Sequence, residues 1–228
     1  MDSRGSLDVA SRTDRGVSAV ANALVLDSAL SGAALLRALN GTSPRIFFTG
    51  ARVVPMEFRV RHALMREYRY YAGVPFRVPG RVAEAASRLT GRVDVRSLGR
   101  QLPSTTPTWR EVESVRIEQD ARTVVVRAPS FVWGMVRKIV GALRAVDAGR
   151  LSLARLTDAL EGRVRLTLPM AEPGPLVLWE VSFGLPWDHI WRGPNRQQAL
   201  WWSSASADAA ARARVLAVLP PAVGASAD

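Results

Sequence analysis

The chain contains no cysteine among its 228 residues. Disulfides, cysteine nucleophiles and thiolate metal sites are therefore excluded, and the composition fits a reducing compartment. Histidine is almost as scarce. His62 and His189 are the only two, which leaves few candidates for a multi-histidine metal site or a Ser-His hydrolase. Lysine is represented once, by Lys138. No stretch approaches the 18 or so uncharged apolar residues that a membrane helix needs, and Met1-Asp2-Ser3-Arg4-Gly5 begins no apolar leader. The expectation is a soluble cytoplasmic protein with no membrane partner. No internal repeat is evident.

What the chain has in excess is positive charge. Its 31 basic residues against 20 acidic ones give a formal net charge of +11. A polyanionic partner is the first expectation, nucleic acid above all. Arginine-biased codons explain the excess as well, but the planar guanidinium grips phosphate whatever put it there. With 48% hydrophobic residues and a mean hydropathy of +0.03, the chain can bury a core. Its length suits one or two domains.

Periodicity and turn signals predict strands over residues 20–26, 68–72 and 176–183, an extended segment over 46–54, and a hairpin of 112–117 with 123–127. Helices are predicted over 32–39, capped by Ser31 and stopped by Asn40-Gly41, and over 82–89, 131–146 and 152–160. No regular βαβ rhythm appears. The predicted class is α+β, with a mainly antiparallel central sheet flanked by helices. After Pro186 the composition shifts to Trp187, Trp191, Trp201 and Trp202, followed by an alanine-rich helix over 205–219. The expected division is a main region over 1–186 and an appended extension over 187–228.

The most informative segment is Ala10-Ser11-Arg12-Thr13-Asp14-Arg15-Gly16-Val17-Ser18-Ala19. A carboxylate between two arginines is favoured in its ionised form, and an ionised carboxylate is a usable nucleophile or base. The glycine permits a tight loop. An isolated aspartate of this kind is more often one half of a solvated surface ion pair. Tyr68 and Tyr70 lie two apart on a strand and share a face, where core aromatics are the commoner outcome. Arg137 follows Met135 and Val136 and precedes Ile139, Val140 and Leu143. A charge on so apolar a helix needs a partner or an exit to solvent. Asp14 is the candidate partner; a polar stripe shared with Lys138 is the alternative.

These residues, in this order, resemble the TruA family of tRNA pseudouridine synthases. Arg12-Thr13-Asp14-Arg15-Gly16-Val17 matches the family's Arg-Thr-Asp-x-Gly-Val loop, in a form closer to its archaeal and eukaryotic branch. Phe58-Arg59-Val60-Arg61 followed by Glu67-Tyr68-Arg69-Tyr70 resembles the Phe-x-x-Arg … Tyr-Arg-Tyr signature, about one residue short of bacterial members. Phe131-Val132-Trp133-Gly134-Met135-Val136-Arg137-Lys138-Ile139-Val140-Gly141 resembles Phe-x-x-x-Met-Val-Arg-x-Ile-Val-Gly. Ala171 to Leu178 loosely resembles the closing Ala-Pro-x-x-Gly-Leu-x-Leu strand, with the proline one place late at Pro173 and Pro175 where glycine is usual.

The resemblance implies the pseudouridine synthase fold. It implies Asp14 as the catalytic carboxylate, Arg137 as its cation and Tyr68 as the active-site tyrosine. Arg12 would help hold a flipped-out base, and with Arg61 and Lys138 it completes the expected substrate-binding cations. The implied substrate is tRNA, modified at uridines of the anticodon arm around positions 38 to 40, by a homodimer that needs no cofactor and no metal. Family members carry a strand and helix before the Arg-Thr-Asp loop, with Tyr-Asp-Gly and Gly-Trp-Gln elements. Nine residues precede Ala10 here, so the expectation is a shortened front. Two rivals stay open on the sequence. One is a non-catalytic RNA-binding relative; the other is an unrelated basic protein whose charge follows codon bias.

Overall fold

The structure, a computed structural model, describes residues 7–190 and 193–218. Trp191 and Leu219 lie outside the described residues. In chain order the elements are β1 (Asp8–Val9), β2 (Ser18–Ala19), β3 (Leu24–Val25), α1 (Gly32–Thr42), β4 (Gly50–Ala51), β5 (Met65–Tyr71), α2 (Pro79–Arg88), β6 (Gly91–Asp94), β7 (Trp109–Val112), β8 (Ser114–Ile117), β9 (Thr123–Ala128), α3 (Met135–Asp147), α4 (Leu153–Leu160), β10 (Leu176–Ser182), β11 (His189–Ile190) and α5 (Arg196–Val218). The chain divides into two compact units. One holds the residues up to Asp27 together with Arg59–Leu185; the other holds Ser28–Phe58 and the residues from Pro186 onward.

The first unit is built on a five-stranded sheet of order β2-β10-β5-β9-β8. All its pairings are antiparallel except β10 with β2, so the predicted α+β class with a mainly antiparallel sheet is the one found. Side chains alternate across a strand. Tyr68 and Tyr70 of β5, Val124 and Val126 of β9, Val115 of β8, and Leu176 and Leu178 of β10 therefore join one core. The same core takes Met135, Val136, Ile139, Val140, Ala142, Leu143 and Val146 of α3. α2 packs on α3, α4 and β8. It begins at Pro79, three residues before the predicted start, because proline suits the first helical turn where no N–H partner is needed.

Besides α2, three helix boundaries differ from the periodic reading: α5 begins at Arg196 rather than at 205, and α3 and α1 also differ. α3 starts at Met135 rather than Phe131. Gly134 caps it in the left-handed region at φ +75°, which no right-handed helix can pass through, so residues 131–134 are released into the pocket described below. α1 runs through Asn40-Gly41 to Thr42. Asn40 is not a stop signal because its side chain is fully engaged: its Nδ2 donates to the Phe48 carbonyl at 2.9 Å and its Oδ1 accepts from the Phe48 N–H at 3.0 Å.

In the second unit the segment after Pro186 is joined to residues 28–58. Gln198 of α5 is completely buried. Its Nε2 donates to Asn40 Oδ1 at 2.9 Å and to the Ile46 carbonyl at 3.1 Å. β11 pairs antiparallel with β4, and Arg52 meets Asp188 at 3.1 Å. Buried amides that satisfy each other in this way have few alternative partners, which ties α5 to residues 28–58 of its unit. No helix among the described residues is long and apolar enough to cross a membrane.

Gly141 shows how closely the first unit is packed. A Cβ there would lie 1.9 Å from the Pro169 carbonyl oxygen. The close approach lets residues 169–171 lie along α3, where the Ala171 N–H donates to the Arg137 carbonyl at 3.0 Å. Gly→Ala inside a helix ordinarily stabilises by roughly 1 kcal/mol. Gly141→Ala is expected to reverse that sign and destabilise by about 1–3 kcal/mol through overpacking, read as a lower urea midpoint at unchanged slope.

Candidate active site

The loop from Ala10 to Val17 is anchored at both ends. On entry, β1 pairs antiparallel with β3, and the Ala10 N–H donates to the Ala23 carbonyl at 2.8 Å. On exit, β2 lies parallel to β10, with Ser18 opposite Val177 and Ala19 opposite Leu178. Between the anchors, the Val17 N–H donates to the Asp14 carbonyl at 3.0 Å. The turn so closed needs a left-handed residue, and Gly16 supplies it at φ +92°. Asp14 stands at the head of this turn.

β10 pairs with β2 on one side and with β5 on the other, where Leu178 lies opposite Tyr68. One strand thus brings the Asp14 loop beside Tyr68. The Ala171 carbonyl, just before β10, accepts from Arg137 Nε at 2.6 Å. The guanidinium is turned so that Nη1 meets Asp14 Oδ2 at 2.7 Å, with side-chain exposures of 15% for Arg137 and 22% for Asp14. A partly buried, charge-assisted contact of this length is among the stronger protein hydrogen bonds. The partner expected for Arg137 is the one it has.

Asp14's other oxygen is also taken. Trp133 Nε1–H donates to Oδ1 at 2.7 Å. The Tyr68 ring is edge-on to Phe131, with centroids 5.2 Å apart. Burial pushes the Tyr68 phenol above its ordinary range, as does the Asp14 charge; hydrogen bonding with Ser11 and the nearby Arg66 guanidinium pull the other way. Ser11 Oγ accepts from Arg66 Nε at 2.9 Å. Arg66 itself is buried. It is neutralised by dipoles, donating to the carbonyls of Ala10, at 2.9 Å, Arg61, at 2.8 Å, and Pro129. It therefore fastens the Asp14 loop to the end of β9, from which Phe131 and Trp133 follow.

These groups line one pocket of about 680 Å³, within the range of sites that take a small organic ligand. Its apolar wall includes Val17, Phe131, Val132 and Leu176. Arg12 and Arg61 also line it and are exposed; Arg61 meets Asp8 at 2.9 Å. Lys138 does not line it. Its ammonium is directed away, donating to the carbonyls of Ser97, at 3.2 Å, and Gly99, at 2.8 Å. One residue beyond Arg137 on a helix turns the side chain by roughly 100°, so neighbours in sequence face different surroundings. Burial lowers its affinity for a proton, and Arg165 adds repulsion. Lys138 thus closes a turn and is not one of the pocket's cations.

Ser11, Arg66 and Trp133 were not among the residues predicted for the site. Arg66 was open to detection, because it shares the Tyr68 face of β5 by its spacing of two. Trp133 was hidden by the helical reading of residues 131–134. A carboxylate beside a tyrosine whose proton burial helps retain, walled by apolar side chains, offers a candidate nucleophile or base. Among the described residues no group of three or more His, Asp or Glu could hold a metal ion.

The sequence pattern that describes tRNA pseudouridine synthases matches residues 85–184. A tRNA pseudouridine synthase A of Thermococcus sibiricus is 34% identical over 177 residues, covering 76% of this chain and 66% of the relative. Its namesake in Methanothrix thermoacetophila is 34% identical over 191 residues, 81% of this chain and 70% of the relative. That of Methanosphaerula palustris is 32% identical over 216 residues, 92% of this chain and 75% of the relative. The chain spans about two thirds to three quarters of the length of these curated relatives. Identity of this order over most of the chain is matched by a fold that closes around the Arg-Thr-Asp loop, and the protein belongs to the tRNA pseudouridine synthase family.

Proposed function

We propose that the protein isomerises uridine to pseudouridine in tRNA, at uridines of the anticodon arm, with Asp14 as the essential carboxylate. The observation that carries this reading is the Asp14–Arg137 pair inside a pocket that also holds Tyr68. The reaction breaks the N1–C1′ bond, turns the uracil, and forms the C5–C1′ bond. The proton on C5 is lost and N1 gains one, so no atom or electron is left over. Asp14 either attacks C1′ or removes the C2′ proton; both routes use the carboxylate that Arg137 Nη1 holds by Oδ2 at 2.7 Å.

The target base must leave its stem, at a cost of a few kcal/mol for unstacking and unpairing. Arg12 and Arg61, exposed at the pocket, offer phosphate contacts that offset it. Tyr68 packs against the base and holds its own proton near it, ready for exchange at C5. The homodimer implied by the family resemblance belongs to the same proposal. Exposed Trp187, Leu200 and Trp202 of the second unit supply apolar surface of the kind that such contacts use.

Three outcomes test this reading, all by tritium release from tRNA carrying 5-tritiated uridine. Asp14→Asn is expected to abolish turnover while tRNA affinity stays within a few-fold; activity within tenfold of the parent would remove Asp14 from its role. Arg137→Met is expected to lower the single-turnover rate by roughly tenfold or more while tRNA affinity stays within a few-fold, since the carboxylate loses its charged hydrogen-bond partner. Arg137→Lys restores the rate only partly, because an ammonium cannot satisfy both the Ala171 carbonyl and Asp14 in the guanidinium's geometry. Tyr68 has a folded-state proton affinity raised by burial, so its proton is retained through and above the ordinary tyrosine range near pH ~10. Any alkaline limb due to Tyr68 must then lie above that value, and Tyr68→Phe must remove it.

A further inference from the structure

We propose that Trp133 is a positioning residue for Asp14, fixing the rotation of its carboxylate through the indole N–H. The proposal rests on the reading of Asp14 as the reacting group. Arg137 reaches the carboxylate through one nitrogen, Nη1, on one oxygen, Oδ2. A single contact point leaves the carboxylate free to rotate about its Cβ–Cγ bond. The Trp133 N–H at 2.7 Å from Oδ1 supplies the second point and removes that freedom. Each carboxylate oxygen offers about two acceptor sites, so one donor on each leaves sites open toward the pocket. The donor is neutral, so it sets direction without adding a second cation to the carboxylate.

Burial does not explain where this tryptophan lies, since the residue is about half exposed, at 48%. Its placement comes from specific contacts. The Arg100 guanidinium stacks over the ring at 4.6 Å, and the Arg100 N–H donates to the Trp133 carbonyl at 2.8 Å. Gly134, left-handed at φ +75°, then turns the chain into α3, and a Cβ there would meet Met170 Cε at 3.0 Å. The indole is thereby held on one carboxylate oxygen of Asp14 while Arg137, four residues later, is on the other. Small displacements of a reacting group cost rate heavily, on the order of a hundredfold per ångström. A rotation-fixing donor therefore acts on the chemical step more than on binding.

The test uses the full chain. Trp133→Phe keeps a ring under Arg100 and removes only the donor. The single-turnover rate is expected to fall by about ten- to a hundredfold, the worth of a hydrogen bond to a charged group, with tRNA affinity within a few-fold of the parent. A rate within twofold of the parent would overturn the proposal. A second measurement needs no activity. In protein labelled with nitrogen-15 tryptophan, the chain's seven tryptophans give indole N–H signals, and Trp133→Phe identifies the relevant one. Asp14 is faced by Arg137 and shares the pocket with Tyr68, Arg12, Arg61 and Arg66; Asp8 is held on Arg61. The Trp133 signal is expected to lie downfield in the parent, as a hydrogen-bonded indole N–H does, and to move upfield in Asp14→Ala, while Asp8→Asn leaves it in place. A Trp133 signal that Asp14→Ala does not move would overturn the proposal. A parent without turnover whose Trp133 signal still follows Asp14 would reject the pseudouridine-forming reading and leave the hydrogen-bond assignment supported.

Discussion

A guanidinium on a helix that is buried on nearly every side must be neutralised where it stands. α3 buries nine of its residues, and Arg137 is the charge that emerges from it toward the pocket. An unpartnered cation in such surroundings costs several kcal/mol. Asp14 supplies the countercharge from a segment more than a hundred residues earlier, and the Ala171 carbonyl supplies a dipole from the other side. Remove either and the charge is left partly unsatisfied. The same geometry that satisfies Arg137 holds the Asp14 carboxylate at the wall of the pocket. The contact that neutralises the helix's charge is thus also the one that places the proposed reacting group.

Three arrangements make that contact possible. β10 pairs with β2 and β5 at once, so the Asp14 loop and Tyr68 are brought to one sheet position. The missing side chain of Gly141 lets residues 169–171 lie along α3 and orient Arg137. Arg66 spreads its buried charge over three carbonyls and the Ser11 hydroxyl, which joins the loop before Asp14 to the strand end after Ala128. Each fixes one segment of the pocket wall against another.

The positive charge is put to several uses. Arg12 and Arg61 are exposed at the pocket, while Arg66 and Arg137 are structural counterparts of the loop. Lys138 closes the turn over Ser97 and Gly99. Arg69 lies over the Trp179 ring and pairs with Glu67 on the opposite face of β5 from Tyr68. A net charge read from composition therefore overstates the number of cations that a polyanion can meet, because guanidinium groups also serve as multidentate donors inside the fold.

Much of the site was legible in the sequence, and for physical reasons. Arg137 amid apolar neighbours signalled a charge in need of a partner, and the order of the motifs that carry Asp14, Tyr68 and Arg137 identified the family. The α+β class followed from period-two and helical patterns lacking a βαβ rhythm. Local periodicity also misled where a single residue overrode it: Gly134 ends the helical pattern at Phe131–Trp133, and Asn40 prolongs a helix that its type suggested would stop. What only the tertiary structure decided were the partners. That Trp133 reaches Asp14, that Arg66 gathers three distant carbonyls, that Lys138 turns away from the pocket beside it in sequence, and that residues 28–58 receive α5 through Asn40 and Gln198 all depend on where separated segments meet. Sequence fixes which groups need a partner; the direction of each side chain, and hence which partner it finds, is set by strand pairing and helix packing over distances that no local pattern records.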